Sequence, residues 1–161
     1  MKNIILSAAA ATAIIAVSAS AISCTGKGWS DEEREIILGQ GETMRVLTVD
    51  SEADGVGIAG PQVGISRRVV AVQRFDKEGE PFEVYPNIRI TARRGEPEPG
   101  PEGCLSVPGR RGTVSRYREI DISYTAMPEG RDTVETITGF TAVIFQHECD
   151  HLDGILYTDW L

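Results

Sequence analysis

GVGIAGPQVG at residues 55–64 decides the fold, because its first six letters spell G-x-G-x-x-G. Such a turn binds a dinucleotide only when a strand precedes it and a helix starts at its last glycine, so that the pyrophosphate meets the helix N-terminus. Neither flank fits. Upstream, Ser30-Asp31-Glu32-Glu33 is an S-x-x-E capping box that predicts a helix running toward residue 50, with Ile36, Ile37, Met44 and Leu47 on its buried side. Gly39 and Gly41 weaken that helix by about 1 kcal/mol each. Downstream, Pro61-Gln62-Val63-Gly64 predicts an extended turn into a strand, and the acids beyond it, Glu78 and Glu80, fall in a turn. A doubly wound parallel sheet is therefore not expected, and no nucleotide is expected as a ligand.

The rest of the chain reads as α+β. RRVVAVQRF at 67–75 and FEVYPNIRI at 82–90 are two β-branched stretches separated by a DKEGE turn. REIDISYT at 118–125 alternates polar and apolar residues, and DTVETI at 132–137 should pair with it across an MPEGR turn. GEPEPGPEG at 95–103 reads as a Pro/Gly/Glu loop. Gly139 opens GFTAVIFQHECDHLDG, where Phe140, Val143, Ile144, His147 and His151 recur at helical spacing. Short, mostly antiparallel strands around one central helix are expected.

One domain is expected, over residues 30–161. Residues 1–23 read as an export signal, because Lys2 is the only charge before Cys24 and small apolar residues fill the interval. Ala19-Ser20-Ala21 suits an ordinary signal peptidase, whereas Ala21-Ile22-Ser23-Cys24 resembles a lipobox whose cysteine is acylated; the second reading is preferred. A retained membrane anchor is the bland alternative, since the apolar stretch approaches the roughly 20 residues of a spanning helix. Residues 24–29 would form a tether, and the domain would work outside the cytoplasm, either free there or held to a membrane by lipid on Cys24.

Without Lys2 the basic count falls from 16 to 15 against 24 acids, a charge of 15 − 24 = −9. That balance argues against nucleic acid, which is bound by Lys and Arg on phosphates. The RR pairs at 67–68, 93–94 and 110–111 read as solvated loop ends.

Chemistry concentrates in His147-Glu148-Cys149-Asp150-His151, an H-E-x-x-H pattern containing both histidines of the chain. Residues four apart share a helix face, so two imidazoles can hold one metal with Glu148 beside its water as general base. A metzincin-like continuation would need histidine where Tyr157 stands, and no glutamate follows His151 to act as a later ligand. That leaves Cys104, in Glu102-Gly103-Cys104-Leu105-Ser106, as the better third donor. Cys104 with His147 and His151 gives three ligands and an open fourth position, the pattern of a catalytic site. Cys149 lies two residues from each histidine, should point away, and reads as a buried small apolar residue.

GVGIAGPQ, EGCLS and QHECDH, in that order, resemble the three signature motifs of the peptide deformylases, over roughly residues 30 to 160. The resemblance implies a deformylase fold and one divalent ion, Fe2+ or Zn2+, on Cys104, His147 and His151. It implies a hydrolase that removes the formyl group from N-formyl-methionyl peptides, with Glu148 moving the proton. Gln62 and the backbone N–H of Leu105 would stabilise the oxyanion. Val56 and Gly57 would pair with the substrate backbone, Phe140, Val143 and Ile144 would line the methionine pocket, and Arg111 would lie near the substrate backbone. A monomer is expected. Gly60 stands where the family pattern has alanine, which removes a methyl beside Gln62 and should loosen its loop. The alternative reading is accordingly a degenerate member that binds formyl peptides with little turnover.

Overall fold

Val69, Val70 and Val72 carry stiff β-branched side chains that pack well on a pleated surface, and they form the middle strand of the first sheet. The computed structural model describes residues 55–161; the leader, Cys24, the tether and the helix expected from Ser30 lie outside them. In the first sheet β1 (Gly57–Ala59), β2 (Val69–Gln73) and β3 (Phe82–Pro86) are antiparallel in that spatial order, which leaves one edge of β1 outside the sheet. The second sheet has the order β4 (Arg89–Arg94), β7 (Glu119–Ala126) and β8 (Arg131–Thr138). β5 (Glu98–Cys104) and β6 (Val107–Arg116) make a separate two-stranded ribbon. The helix α1 (Gly139–Leu152) packs chiefly on β1 and β2 and also touches β4, β7 and β8. The family of folds expected from the sequence, α+β with short antiparallel strands and one helix among the described residues, is the one observed.

Two expectations need correction. FEVYPNIRI is not one strand: Asn87 turns left-handed with φ 57°, and the chain passes from the first sheet, where Val69 faces Pro86, to the second, where Arg89 faces Ser123. GEPEPGPEG is not a loop: its residues 98–103 and the following Cys104 form β5, with Pro99 opposite Ser115 and Pro101 opposite Thr113. Each strand of a two-stranded ribbon has a free edge, where the missing N–H of proline costs no ladder bond. The partner strand β6 had no counterpart in the sequence reading, since VPGRRGTVSR shows no clean alternation; the RR pair at 110–111 lies inside it.

Ile88, Ile120, Ile122 and Ile137 interlock with Phe145 and Tyr85 to fill the core, and the last two rings meet edge-on at 4.8 Å. Beside them Arg74, just past β2, is 1% exposed and donates to Asp76 at 2.7 Å and to Glu135 of β8 at 2.6 Å. Asp76 is held below the usual carboxylate range first by that hydrogen bond. Its folded value is the lower one, so its contribution to stability is complete above the ordinary value of 3.8 and is lost as the pH falls through the folded value. Replacing a buried member of an ion pair strands its partners. Arg74→Leu should therefore cost about 3 kcal/mol in urea unfolding at neutral pH, and less as the solution is acidified below 3.8. Arg94→Leu, in a half-exposed pair with Asp121, should leave the unfolding midpoint in place.

Candidate active site

Helical spacing brings His147 and His151 to one side of α1, with ring centroids 4.9 Å apart. The β5–β6 ribbon carries Cys104 to the same place, and its Sγ lies 3.2 Å from His151 Nε2. Donor atoms of Cys104, His147 and His151 all fall within 4.8 Å of one another. Glu102, two residues before Cys104 on β5, takes His147 Nδ1 at 2.9 Å. That contact leaves Nε2 of His147 to face the other donors.

Burial alone would push the Cys104 thiol up, but hydrogen bonds with His147 and His151 and the Ser106 N–H outweigh it and hold the thiol at about 5. Burial would likewise lower His147, yet hydrogen bonds with Cys104 and Glu102 raise it to about 10. A thiolate beside an imidazolium is a pair whose proton a dication can displace. One thiolate and two imidazoles are also donors that suit a divalent ion such as Zn2+ or Fe2+, so these residues fit a metal of the kind the resemblance implies.

Glu148 is 4% exposed, and its Oε2 is buried without a hydrogen-bond partner among the described residues. Burial pushes its carboxyl up to about 7. Cys149 is buried in the core and points away from the donors, as its position between the histidines requires.

Cys104, His147 and Glu148 line a cleft of about 800 Å³. Gln62, Cys104, Leu105, His147, Glu148, Val56, Gly57, Phe140, Val143, Ile144 and Arg111 all line it; His151 alone of the site residues expected in the described region does not, being buried behind them. Ile144 belongs to the core and to the cleft wall at once, whereas Phe140 is half exposed at the rim and rests on Phe75.

The glycine-rich stretch is organised by β1 pairing. Gln73 N–H donates to Val56 O, so in the antiparallel alternation Gly57 directs its N–H and C=O away from β2, toward the cleft edge. Ala59 shares that parity, and its outward N–H donates to Gln62 Oε1 at 2.7 Å. The fixed Oε1 turns the Gln62 amide nitrogen toward Cys104, where it donates to Ser106 Oγ at 3.0 Å.

A Cβ on Gly57 would sit 2.6 Å from Glu148 Oε1 and 2.8 Å from Ile144 Cγ2. The missing side chain therefore makes room for Glu148, in addition to baring the backbone edge. Gly60 corrects an expectation: a Cβ there would lie 2.8 Å from Ile65 O and 3.0 Å from Arg67 O, so the turn leaves no room for a methyl. The Gln62 loop is packed, not loosened, and alanine would not improve it. Glu102 and Ser106 were overlooked in the sequence; each lies two residues from Cys104, Glu102 on β5 and Ser106 in the turn that follows it.

A family model described as polypeptide deformylase matches residues 27–161. The chain belongs to the polypeptide deformylase family. It is 41% identical to the peptide deformylase of Desulforudis audaxviator over 80% of this chain and 84% of that one. Some other curated deformylases are longer, so that the chain spans about half of the one from Symbiobacterium thermophilum, at 48% of its length. Among solved structures, the peptide deformylase of Thermus thermophilus superposes with a TM-score of 0.70 at 38% identity, covering 84% of this chain and 77% of that one. A class I type b deformylase from Acinetobacter baumannii with Met-Ala-Ser bound superposes with 0.68 at 35% identity, covering 84% of each.

The donor set leads to a direct test by metal analysis. Cys104→Ala should lose the bound ion, whereas Cys149→Ala should keep it and lose only the packing of a small buried side chain, about 1 kcal/mol.

Proposed function

We propose that this chain hydrolyses the formyl group from N-formyl-methionyl peptides, releasing formate and a free amino terminus. The observation that carries the reading is the buried, unpartnered carboxylate oxygen of Glu148, set beside three metal donors and beneath the bare backbone edge of Gly57. Family membership supports the activity, and the tripeptide in the Acinetobacter enzyme supports a peptide in the cleft.

Cys104, His147 and His151 would hold one Fe2+ or Zn2+, which when bound lowers the pKa of water toward about 7 and polarises a carbonyl. The protein does the rest. An extended substrate adds its backbone to the outward N–H and C=O of Gly57, a strand addition that aligns the formyl group over the site. Its methionine side chain enters between Val143, Ile144 and the ring of Phe140. Glu148 takes the proton from the attacking water, with a carboxyl buried enough to hold it, and then passes it to the departing amine. The Gln62 amide and the Leu105 N–H donate to the oxygen that gains charge. Because Ala59 fixes the far end of the Gln62 amide, little reorganisation is needed as that charge develops.

The same proposal includes the address. The leader and Ala21-Ile22-Ser23-Cys24 support export and lipid attachment at Cys24, so that the enzyme works on the outer side of a membrane on formyl peptides found there.

Formate release from a formyl-Met peptide by the zinc-loaded protein tests the chemistry. Glu148→Ala should lower kcat by about 10²- to 10⁴-fold. Gly57→Ala, which displaces that carboxylate, should lower kcat by about 10²-fold; loss of peptide affinity alone would instead appear in KM. Absence of turnover in the folded, metal-loaded wild type would overturn the reading. For the address, the full chain should sediment with membranes and Cys24→Ala should release it; a soluble cytoplasmic wild type would refute export.

A further inference from the structure

We propose that the preferred substrates are N-formyl peptides whose first side chain is apolar, unbranched and longer than that of methionine, and that Gly100 is the residue that admits them. This rests on the deformylase reading and narrows it to a substrate class.

Beyond the wall against which a methionine side chain would rest, a second cavity opens. It holds about 220 Å³ between the β5–β6 ribbon and α1, and it shares Pro101, Glu102, Phe140 and Val143 with the main cleft. From there it leads away from the donors: Gly100 and Val114 line it, whereas Cys104, Ile144, His147 and Glu148 do not. The charged residues around it satisfy one another, Arg116 donating to Glu102 at 2.7 Å and Arg118 to Glu98 at 3.1 Å. What faces an occupant is the apolar surface of Pro101, Val114, Phe140 and Val143, with the bare backbone of Gly100. A polar group entering there would lose its water and find each charged partner already taken, whereas a hydrocarbon chain gains by leaving water.

Two glycines on the ribbon show that the fold does not impose this space. The register is regular from Glu98 to Gly103, so Gly100 and Glu102 share one face with the residues opposite them, Val114 and Gly112. At Gly112 the place of a side chain is taken by Leu161, whose Cδ2 would lie 2.5 Å from a Cβ there. At Gly100 a Cβ would meet only Arg118 Nη2, at 3.9 Å. The backbone does not call for glycine either: φ at Gly100 is not positive, and a strand position suits a β-branched residue better. Among the described residues, neither crowding nor conformation accounts for Gly100, and what it leaves is room beside the cleft. Val143 stands about one helical turn from the donor His147 and Phe140 about two. A first side chain that passes this pair continues into the cavity, and each methylene buried there should raise kcat/KM by about fourfold.

Zinc-loaded full-length protein should be assayed with formyl-norleucyl-Ala-Ser, whose side chain matches methionine in length, and with formyl-aminooctanoyl-Ala-Ser, two methylenes longer. In the wild type the longer peptide should exceed the shorter in kcat/KM by about tenfold. Gly100→Val should abolish that preference by slowing the longer peptide, leaving the norleucyl peptide within about twofold of wild type, and Gly100→Ala should fall between. Turnover of the norleucyl peptide reports folding and metal loading in each variant. A merely structural role for Gly100 would lower both peptides together and keep their ratio, which would overturn the inference. So would a wild type that hydrolyses the longer peptide no faster than the shorter, the result expected if another part of the chain fills the cavity; the deformylase reading would then stand. Should neither peptide be hydrolysed, calorimetric binding of the two unformylated peptides decides the matter separately, tighter binding of the longer one supporting the inference and equal binding overturning it.

Discussion

The carboxylate of Glu102 is the contact on which the site depends. The β5–β6 ribbon bears the sulfur donor, yet it shares no ladder with either three-stranded sheet. Glu102 bridges the gap: it accepts from Arg116 Nε at 2.7 Å and Nη2 at 3.1 Å within the ribbon, and meets His147 Nδ1 at 2.9 Å on the helix. Arg116 extends the tie to Asp150 at 2.6 Å, whose carboxylate also accepts from Trp160 Nε1. Glu102 and Arg116 are almost fully buried, and a buried ion pair contributes little net stability against an apolar pair of equal volume. Its value here is positional. It fixes the ring orientation of one donor and, with the Arg116–Asp150 pair, the distance between ribbon and helix.

Burial and the neighbouring imidazoles set the acidities around the cleft. Ordinarily a carboxyl loses its proton well before a thiol does. Here burial lifts Glu148 to about 7 while hydrogen bonds from the imidazoles bring Cys104 down to about 5, which reverses the order. The two groups face one cleft and differ in what surrounds them: Cys104 is ringed by donors, and Glu148 Oε2 has none among the described residues. An anion is thereby kept on sulfur, where a cation is wanted, and a proton carrier is kept beside it. Separating the acidities of neighbouring groups by environment is how one site holds both roles near neutral pH.

Much of this was legible in the sequence, for identifiable reasons. H-E-x-x-H on a helix fixes its own geometry, so His147, Glu148 and His151 needed no tertiary information. Cys104 followed because the set lacked a third donor. The ribbon was illegible because proline and glycine signal loops, and what allows Pro99 and Pro101 in a strand is a free edge, a property of the assembled sheet. Arg74 was invisible for a related reason. Its partners Asp76, Glu83 and Glu135 come from three different segments, and nothing local marks an arginine as nearly inaccessible.

The glycines of the opening stretch show where sequence reasoning stops. Gly57 and Gly60 are both buried, and neither has a positive φ, so backbone freedom does not explain them. Each is defined by what lies on the side where a methyl would go. For Gly57 that is the catalytic helix, with the Glu148 carboxylate pressed into the space. For Gly60 it is the carbonyls of Ile65 and Arg67, which leave no room for a methyl. A departure that reads as a lost contact is, in three dimensions, a position where the turn carbonyls exclude a methyl. Glycine in a sequence says that a side chain is unwelcome; only the neighbouring element says which one displaced it.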